Sequence, residues 1–184
     1  SRDGVTLQDA TARTCRALTL STGESMPTLE ELLAIVRASD SPTKLIIEVK
    51  THRTDAQNIR AAEAAVELVR RMRMQQRVEY IAFSALVCQT IAGADPQAKV
   101  AYLNSDKSPA ELQAIGLMGL DYTLGSLRAH PSWVEDAHRL GMTVNVWTIN
   151  NPEEMGECVR MGADFIPTNY PAMAKSWCDA AETQ

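Results

Sequence analysis

Apolar residues follow two alternating patterns along the chain. Short runs with strand character occur at 44–50, 78–83, 100–103, 119–122, 142–148 and 164–166. Between these runs, apolar residues recur at the spacing of an amphipathic helix. Strands that alternate with helices favour a parallel sheet with right-handed crossovers. The pattern therefore predicts about six βα units, preceded by one additional helix.

Several helix boundaries are marked by capping signals. Thr28 and Glu31 form a capping box at the start of the first clear helix, and Ser108 begins a second one. Pro131 is expected to begin a helix that stops at Gly141, because glycine readily adopts the left-handed backbone that ends a helix. The first 25 residues show no regular period and give no prediction.

The run from 44 to 50 carries the first candidate chemistry. Side chains alternate across a strand, so Ile46, Glu48 and Lys50 share one face. In parallel α/β folds the functional groups concentrate at the carboxyl ends of the strands. An acid and a base at that end are costly to bury, which favours a functional site at Glu48 and Lys50. The alternative is a structural ion pair at the end of the strand.

Two α/β architectures fit this order of elements: a doubly wound sheet and a TIM-type (β/α) barrel. No Gly-x-Gly-x-x-Gly follows any of the runs, which argues against a dinucleotide-binding sheet. Side chains at Glu48, Lys50, Asn145 and Trp147 fall on the presumed interior face, as at a barrel mouth. A complete barrel has eight units. We therefore expect residues 1–184 to form a single, incomplete barrel domain whose first strands are missing.

The bulk properties narrow the possible partners. The chain has 184 residues, of which 45% are hydrophobic and 22% charged, as in ordinary globular proteins. Its net charge of −5 gives no reason to expect nucleic acid as a partner. No apolar run reaches the ~20 residues of a membrane-spanning helix. The start at Ser1, with neither an initiator Met nor a signal peptide, suggests that an upstream segment was removed, and the compartment stays open.

Four blocks of sequence follow one another along the chain: GESMPTLEEL at 23–32, IEVK at 47–50, NVWTIN at 145–150 and GADFIPTNYP at 162–171. In this order they resemble the corresponding blocks of glycerophosphodiester phosphodiesterases. Each block alone is a weak signal, whereas four in sequence, at compatible spacings on predicted strand ends, are specific. Further matches at 80–83, 102–104 and 119–122 extend the resemblance over the chain from about residue 6 onward.

The resemblance implies a β/α barrel that hydrolyses glycerophosphodiesters to glycerol 3-phosphate and an alcohol. It also implies a divalent cation, Mg²⁺ or Ca²⁺, and a pair of histidines that act as general acid and base. By position, Glu48 resembles a metal-binding carboxylate of the family, and Lys50 resembles its catalytic, phosphate-contacting lysine. The resemblance further implies that the substrate pocket is lined by Phe83, Tyr102, Asn145 and Trp147.

The chain also departs from the family. It has no His-Arg-Gly, Glu-x-Asp or His-Asp motif, and its three histidines, His52, His130 and His138, lack the expected neighbours. One carboxylate is too few to hold Mg²⁺ or Ca²⁺ tightly, so we expect weak or absent cation binding. Without the histidine pair no positioned general acid or base remains. We therefore expect this chain alone to be inactive.

Other functions stay open at this point. A non-catalytic member of the family would keep the barrel scaffold and a phosphate site at Lys50 as a binding or assembly protein. An unrelated phosphate-handling barrel is a weaker alternative. In each case a barrel short of strands exposes open sheet edges, which are prone to pairing with other chains. A homo-oligomer that covers these edges is therefore a further expectation.

Overall fold

A computed structural model describes residues 5–182 of the chain. The strands are β1 Leu45–Glu48, β2 Val78–Ala82, β3 Val100–Tyr102, β4 Gly119–Thr123 and β5 Thr143–Trp147. The helices are α1 Ala12–Arg16, α2 Leu29–Ala38, α3 Asp55–Arg71, α4 Ala85–Ala94, α5 Pro109–Ala114, α6 Leu124–Ala129, α7 Trp133–Arg139, α8 Pro152–Met161 and α9 Pro171–Glu182. Short 3₁₀ helices lie at Leu7–Asp9 and Gln75–Arg77. Over residues 5–182, no helix has both the length and the apolar character needed to cross a membrane.

The five strands form one parallel sheet in the order β1-β2-β3-β4-β5. Glu48 of β1 pairs in register with Ile81 of β2, and Asp121 of β4 pairs with Asn145 of β5. Each new strand adds to the same side of the sheet, without the reversal of strand order that marks a doubly wound fold. The sheet curls into a half-barrel, which is the incomplete barrel expected from the sequence.

The two faces of the sheet have different surroundings. Side chains on the convex face, including Ile47, Tyr80, Leu120 and Val144, are buried in one apolar core shared with the helices. On the other face, Ile46 is 44% exposed. The helices therefore cover the convex face, and the concave face, which would be the interior of a closed barrel, is open.

The predicted capping boxes are present. The Thr28 hydroxyl accepts a hydrogen bond from the Glu31 amide at 3.2 Å, and the Glu31 carboxylate accepts one from the Thr28 amide at 2.7 Å. Ser108 begins α5 in the same way. Gly162 ends α8 with a φ of 84°, in the left-handed region that favours glycine.

The helix predicted to begin at Pro131 is shorter than expected, and another helix precedes it. The structure has two short helices here, α6 and α7, and α7 begins only at Trp133. The Thr123 hydroxyl caps α6 by accepting a hydrogen bond from the Ser126 amide at 3.2 Å. In the break between the two helices the His130 ring stacks on Trp133, with 3.9 Å between ring centroids. A six-residue helix is too short to show a helical period in its sequence.

The predicted sixth strand, 164–166, is reduced to one bridge between Phe165 and Asn145. The Asp164 carboxylate accepts a hydrogen bond from the Val144 amide at 2.8 Å and so occupies a donor at the start of the ladder. Pro167 has no amide hydrogen with which to extend the ladder. The segment nevertheless runs alongside β5 and lines that side of the concave face.

The loop that follows β1 is tied to the amino-terminal segment. The Arg53 guanidinium donates two hydrogen bonds to the Asp9 carboxylate, at 2.7 and 2.9 Å. The Gln8 side-chain amide donates to the Thr51 carbonyl at 3.3 Å. These contacts position the loop that begins at Lys50.

Candidate active site

Glu48 and Lys50 form an ion pair at the carboxyl end of β1, on the concave face. The Lys50 Nζ lies 2.6 Å from the Glu48 Oε1, and the two side chains are 73% and 27% exposed, respectively. Glu48 lines an open pocket of about 460 Å³. The other lining residues are Ile46, Ile81, Asp121, Asn145, Phe165, Ile166 and Pro167. The ion pair therefore lies at the rim of a pocket and is not enclosed beneath a helix.

The floor of this pocket is polar. Asp121 and Asn145, which pair across β4 and β5, are only 2% and 9% exposed. The Oδ1 atom of each side chain is buried and has no hydrogen-bond partner. Buried polar atoms are nearly always paired in folded proteins, because an unpaired one costs the free energy of its lost hydration. The protein itself therefore leaves two acceptors unsatisfied at the floor of the pocket.

The Asp121 carboxyl group titrates near neutral pH. Burial raises its pKa to about 7, the negative charge of Glu48 adds to the increase, and a hydrogen bond with Asn145 opposes it. A carboxyl group with such a shifted pKa in a pocket is characteristic of functional sites. Sequence reasoning missed Asp121, although one signal was available: it is the single acid in a run that otherwise reads as a buried strand.

Two aromatic side chains form a wall beside the ion pair. Phe83 and Trp147 meet edge to face, with ring centroids 5.8 Å apart and an interplanar angle of 85°. The Trp147 indole nitrogen donates a hydrogen bond to the Asp121 carbonyl at 2.6 Å, which fixes the ring above β4. Phe83 lies two residues beyond Ile81, the register partner of Glu48, and is 40% exposed. The wall therefore spans the mouth of the pocket from β5 to β2.

Tyr102 lies apart from these residues. It is 3% exposed and faces the convex side, where its ring meets that of Tyr122 edge to face at 6.4 Å. Its hydroxyl donates to the Asp106 carboxylate at 2.8 Å, and burial raises the pKa of Tyr102 to about 12. Because side chains alternate along β3, it is Ala101 that points to the concave face. The structure thus brings the other predicted site residues together and leaves Tyr102 in the core.

The sequence matches one protein family over most of its length. Residues 4–173 match the Glycerophosphoryl diester phosphodiesterase family. The chain belongs to this family. The match includes all five strands and the whole concave face, so the pocket lies inside the family domain.

Individual relatives support the assignment. A crystal structure of a glycerophosphodiester phosphodiesterase from Parabacteroides distasonis has 39% identity and a TM-score of 0.92, covering 96% of this chain and 74% of that one. A phosphodiesterase from Oleispira antarctica, solved with its product sn-glycerol-3-phosphate, shares the fold at 19% identity and a TM-score of 0.71, over 85% of this chain and 63% of that one. A probable glycerophosphodiester phosphodiesterase 1 of Mycobacterium tuberculosis is 24% identical over 167 residues, which cover 84% of this chain. The match spans 60% of the length of that curated relative.

The three histidines lie outside the lining of this pocket. The His52 backbone amide is held at the start of α3 by the Asn58 side chain at 2.7 Å. The His130 ring is stacked on Trp133. The His138 Nε2 lies 3.0 Å from the Asp164 carboxylate. Across the part of the chain that the structure describes, none of the three lines the pocket.

The pocket offers oxygen donors for a hard cation. Among residues 5–182 no group of three or more His, Cys, Asp and Glu side chains is placed to hold a metal ion. Two carboxylates, Glu48 and Asp121, and the Asn145 amide oxygen nevertheless line one pocket. Mg²⁺ and Ca²⁺ bind to such oxygens. The donor set therefore fits a hard cation, with fewer carboxylates than the family resemblance implies.

Proposed function

We propose that this chain forms part of the catalytic barrel of a metal-dependent glycerophosphodiester phosphodiesterase. The reaction is the hydrolysis of a glycerophosphodiester to glycerol 3-phosphate and an alcohol. The observation that carries the proposal is the Glu48–Lys50 pair, which lies at the carboxyl end of β1 and on the rim of an open pocket. Membership of the family supports the interpretation of this pair as part of a site for a cation and a phosphate group.

Glu48 and Lys50 have complementary roles in this proposal. Glu48 would hold the divalent cation, which supplies positive charge to the phosphate when bound. Lys50 is 73% exposed at its side chain, so its Nζ can turn towards a phosphate oxygen. There it would offset the negative charge that develops as the phosphodiester bond is attacked.

The remaining pocket residues would position the substrate. Phe83 and Trp147 present an aromatic wall against which the apolar part of a substrate can pack. Asn145 lies at the floor of the pocket, where its amide group can hydrogen-bond to a polar group of the substrate. Tyr102 supports the convex core and has no role in binding in this proposal.

The chain alone is expected to be inactive. No histidine lines the pocket among the described residues, so the histidine pair that the family resemblance implies as general acid and base is not positioned there. The isolated chain should release no glycerol 3-phosphate from glycerophosphocholine or glycerophosphoethanolamine with Mg²⁺ or Ca²⁺. Metal-dependent turnover at ordinary enzyme rates, roughly 1 to 10³ s⁻¹, would contradict this expectation.

The catalytic proposal itself is tested by a chimera. The part of the Parabacteroides distasonis relative that this chain does not cover would be joined to residues 1–184. The chimera should hydrolyse glycerophosphodiesters in Mg²⁺ or Ca²⁺. Glu48→Gln and Lys50→Met should each lower kcat/KM by roughly 100-fold or more, the scale on which loss of one charge-stabilising group acts.

A matched control is available on the same face of the sheet. Glu79 also points to the concave side, but it lies towards the other end of the sheet and pairs with Lys44 at 2.6 Å. Glu79→Gln should leave kcat/KM of the chimera unchanged. A folded chimera without activity, or one whose activity survives both the Glu48 and Lys50 substitutions, would overturn the proposal.

A further inference from the structure

We propose that Asp121 and Asn145 complete, together with Glu48, a site for a divalent cation on the concave face. The inference rests on the proposed function only in assigning Glu48 to the cation. Its new content is the second carboxylate and the amide oxygen, which come from strands far from β1 in the sequence.

The three side chains converge because of the strand register and the curl of the sheet. Asp121 and Asn145 are direct partners on β4 and β5, and both point to the concave side. Glu48 reaches the same pocket from β1, at the opposite edge of the sheet. A flat five-stranded sheet would hold the outer strands far apart, whereas a half-barrel turns their side chains towards one axis.

The polar atoms at the floor favour a ligand that brings positive charge. The Oδ1 atoms of Asp121 and Asn145 are buried acceptors without a donor. The Trp147 indole N–H does not donate to these atoms, because it donates its hydrogen bond to the Asp121 backbone carbonyl. Among the described residues the lining of this pocket includes no Lys, Arg or His, and the Lys50 ammonium pairs with Glu48 at the rim.

A cation satisfies this arrangement better than a neutral ligand. A hydroxyl group could donate to one oxygen, but it would leave the repulsion between the Glu48 and Asp121 carboxylates in place. A divalent cation between them removes that repulsion and can coordinate oxygens from all three side chains. Ca²⁺ in particular accepts a mixture of carboxylate, amide and water oxygens. The open concave face leaves room for the water ligands.

Terbium luminescence tests the site directly, since Tb³⁺ replaces Ca²⁺ and is excited through a nearby tryptophan. Trp147 contacts Asp121 and is therefore in position to sensitise the ion. The chain of 184 residues should show saturable Tb³⁺ emission that Ca²⁺ displaces, and Trp147→Phe should remove most of it. Calorimetric titration with Ca²⁺ gives the affinity without an optical probe.

The substitutions identify the ligands. Asp121→Asn and Glu48→Gln should each weaken cation binding by about tenfold or more. Loss of a residue that only orients a metal ligand already costs about tenfold in affinity, and loss of a ligand should cost at least as much. Glu79→Gln, which removes a carboxylate from the same face outside the pocket, should leave the affinity unchanged. If circular dichroism shows that Asp121→Asn does not fold, Asn145→Leu tests instead whether the floor of the pocket binds the cation.

The outcomes separate this inference from the proposed function. If Glu48→Gln abolishes binding and Asp121→Asn has no effect, the floor does not hold the cation. The inference then fails while the role proposed for Glu48 stands. If neither substitution changes the affinity, or if no saturable binding occurs, this site is overturned, whereas the assignment of Glu48 is tested separately by Glu48→Gln in the chimera.

Discussion

The Asp121 carboxyl group stays protonated in the folded chain at pH values where the unfolded chain ionises it. Its pKa rises from the ordinary value of 3.8 to about 7 on folding, mainly through burial and further through the charge of Glu48. Between these two pKa values the folded state binds more protons than the unfolded state. The contribution of Asp121 to stability is therefore fully present below pH 3.8 and is lost as the pH rises through about 7.

Asp121→Asn should remove this pH dependence, because an amide resembles the protonated carboxyl group and does not titrate. In metal-free buffer the variant should match the wild type at acidic pH and become more stable than it as the pH rises. Above neutral pH the gain in free energy of unfolding should approach roughly 4 kcal/mol, the equivalent of the full pKa shift. Urea unfolding across this pH range measures it.

The control for this measurement is an exposed carboxylate. Glu135 lies on the surface of α7, and Glu135→Gln should leave the dependence of stability on pH as in the wild type. If the free energy of unfolding of Asp121→Asn depended on pH in the same way as that of the wild type, Asp121 would be ionised at neutral pH or would lie outside the pocket.

Strand alternation predicts the face of a side chain best where its neighbours in the sequence fix its direction. Strand alternation and the charges at 48 and 50 placed Glu48 and Lys50 on one face, as observed. Tyr102 belongs to a three-residue strand, which is too short for its pattern to show which side faces the helices. Asp121 was missed because the functional significance of a buried acid depends on the residues next to it. Its neighbour here is Asn145, and the register of β4 and β5 brings the two together.

Gly119 allows the close approach of β3, β4 and β5 below the pocket. A Cβ atom at this position would lie 3.1 Å from the Ala101 Cβ and 3.2 Å from both the Thr143 Oγ1 and the Val100 carbonyl oxygen. Two of these contacts involve the backbone or a rigid Cβ and cannot move aside easily. The glycine therefore sets the spacing of the strands that carry Asp121 and Asn145.

Gly119→Ala should lower the free energy of unfolding by about 1–3 kcal/mol, the usual cost of an overpacked site. Gly93→Ala is the matched control, since the same atom is added in α4, where nothing beyond the adjacent residues and the helix's own backbone lies within 4 Å. There the substitution should stabilise the chain by about 0.5–1 kcal/mol, because alanine loses less backbone entropy in a helix. Equal effects in chemical denaturation would show that the strands are not tightly packed at Gly119.

The elements that the sequence predicted best are those with a local chemical signal. The capping boxes at Thr28 and Ser108 fixed the starts of α2 and α5. The segment 164–166 has the composition of a strand, but its pairing is limited by Asp164 and Pro167, whose effect depends on the neighbouring β5. Local pattern determines an element's type more firmly than it determines how far its hydrogen bonding continues.

At the scale of the whole molecule, the half-barrel leaves apolar side chains of the concave face accessible to water. Ile46, Phe165 and Phe83 are 44%, 41% and 40% exposed on this side. β1 lies at one edge of the sheet, so the described residues leave part of its backbone without a strand partner. Edges and faces of this kind promote association between chains. Self-association of the chain therefore stays our prediction for the molecule as it stands.

Sedimentation velocity over a range of protein concentrations tests this prediction, with an expected mass that rises with concentration. Ile46→Lys introduces a charge on the concave face beside the β1 edge and should weaken association by about tenfold or more, the equivalent of 1.4 kcal/mol. Ile35→Lys is the control, because Ile35 is 67% exposed but lies on α2, away from the sheet. It should leave the association unchanged, since only the concave face and its edge are proposed to pair. A chain that is monomeric at every concentration, or one that both substitutions affect equally, would show that the half-barrel tolerates its open face without a partner.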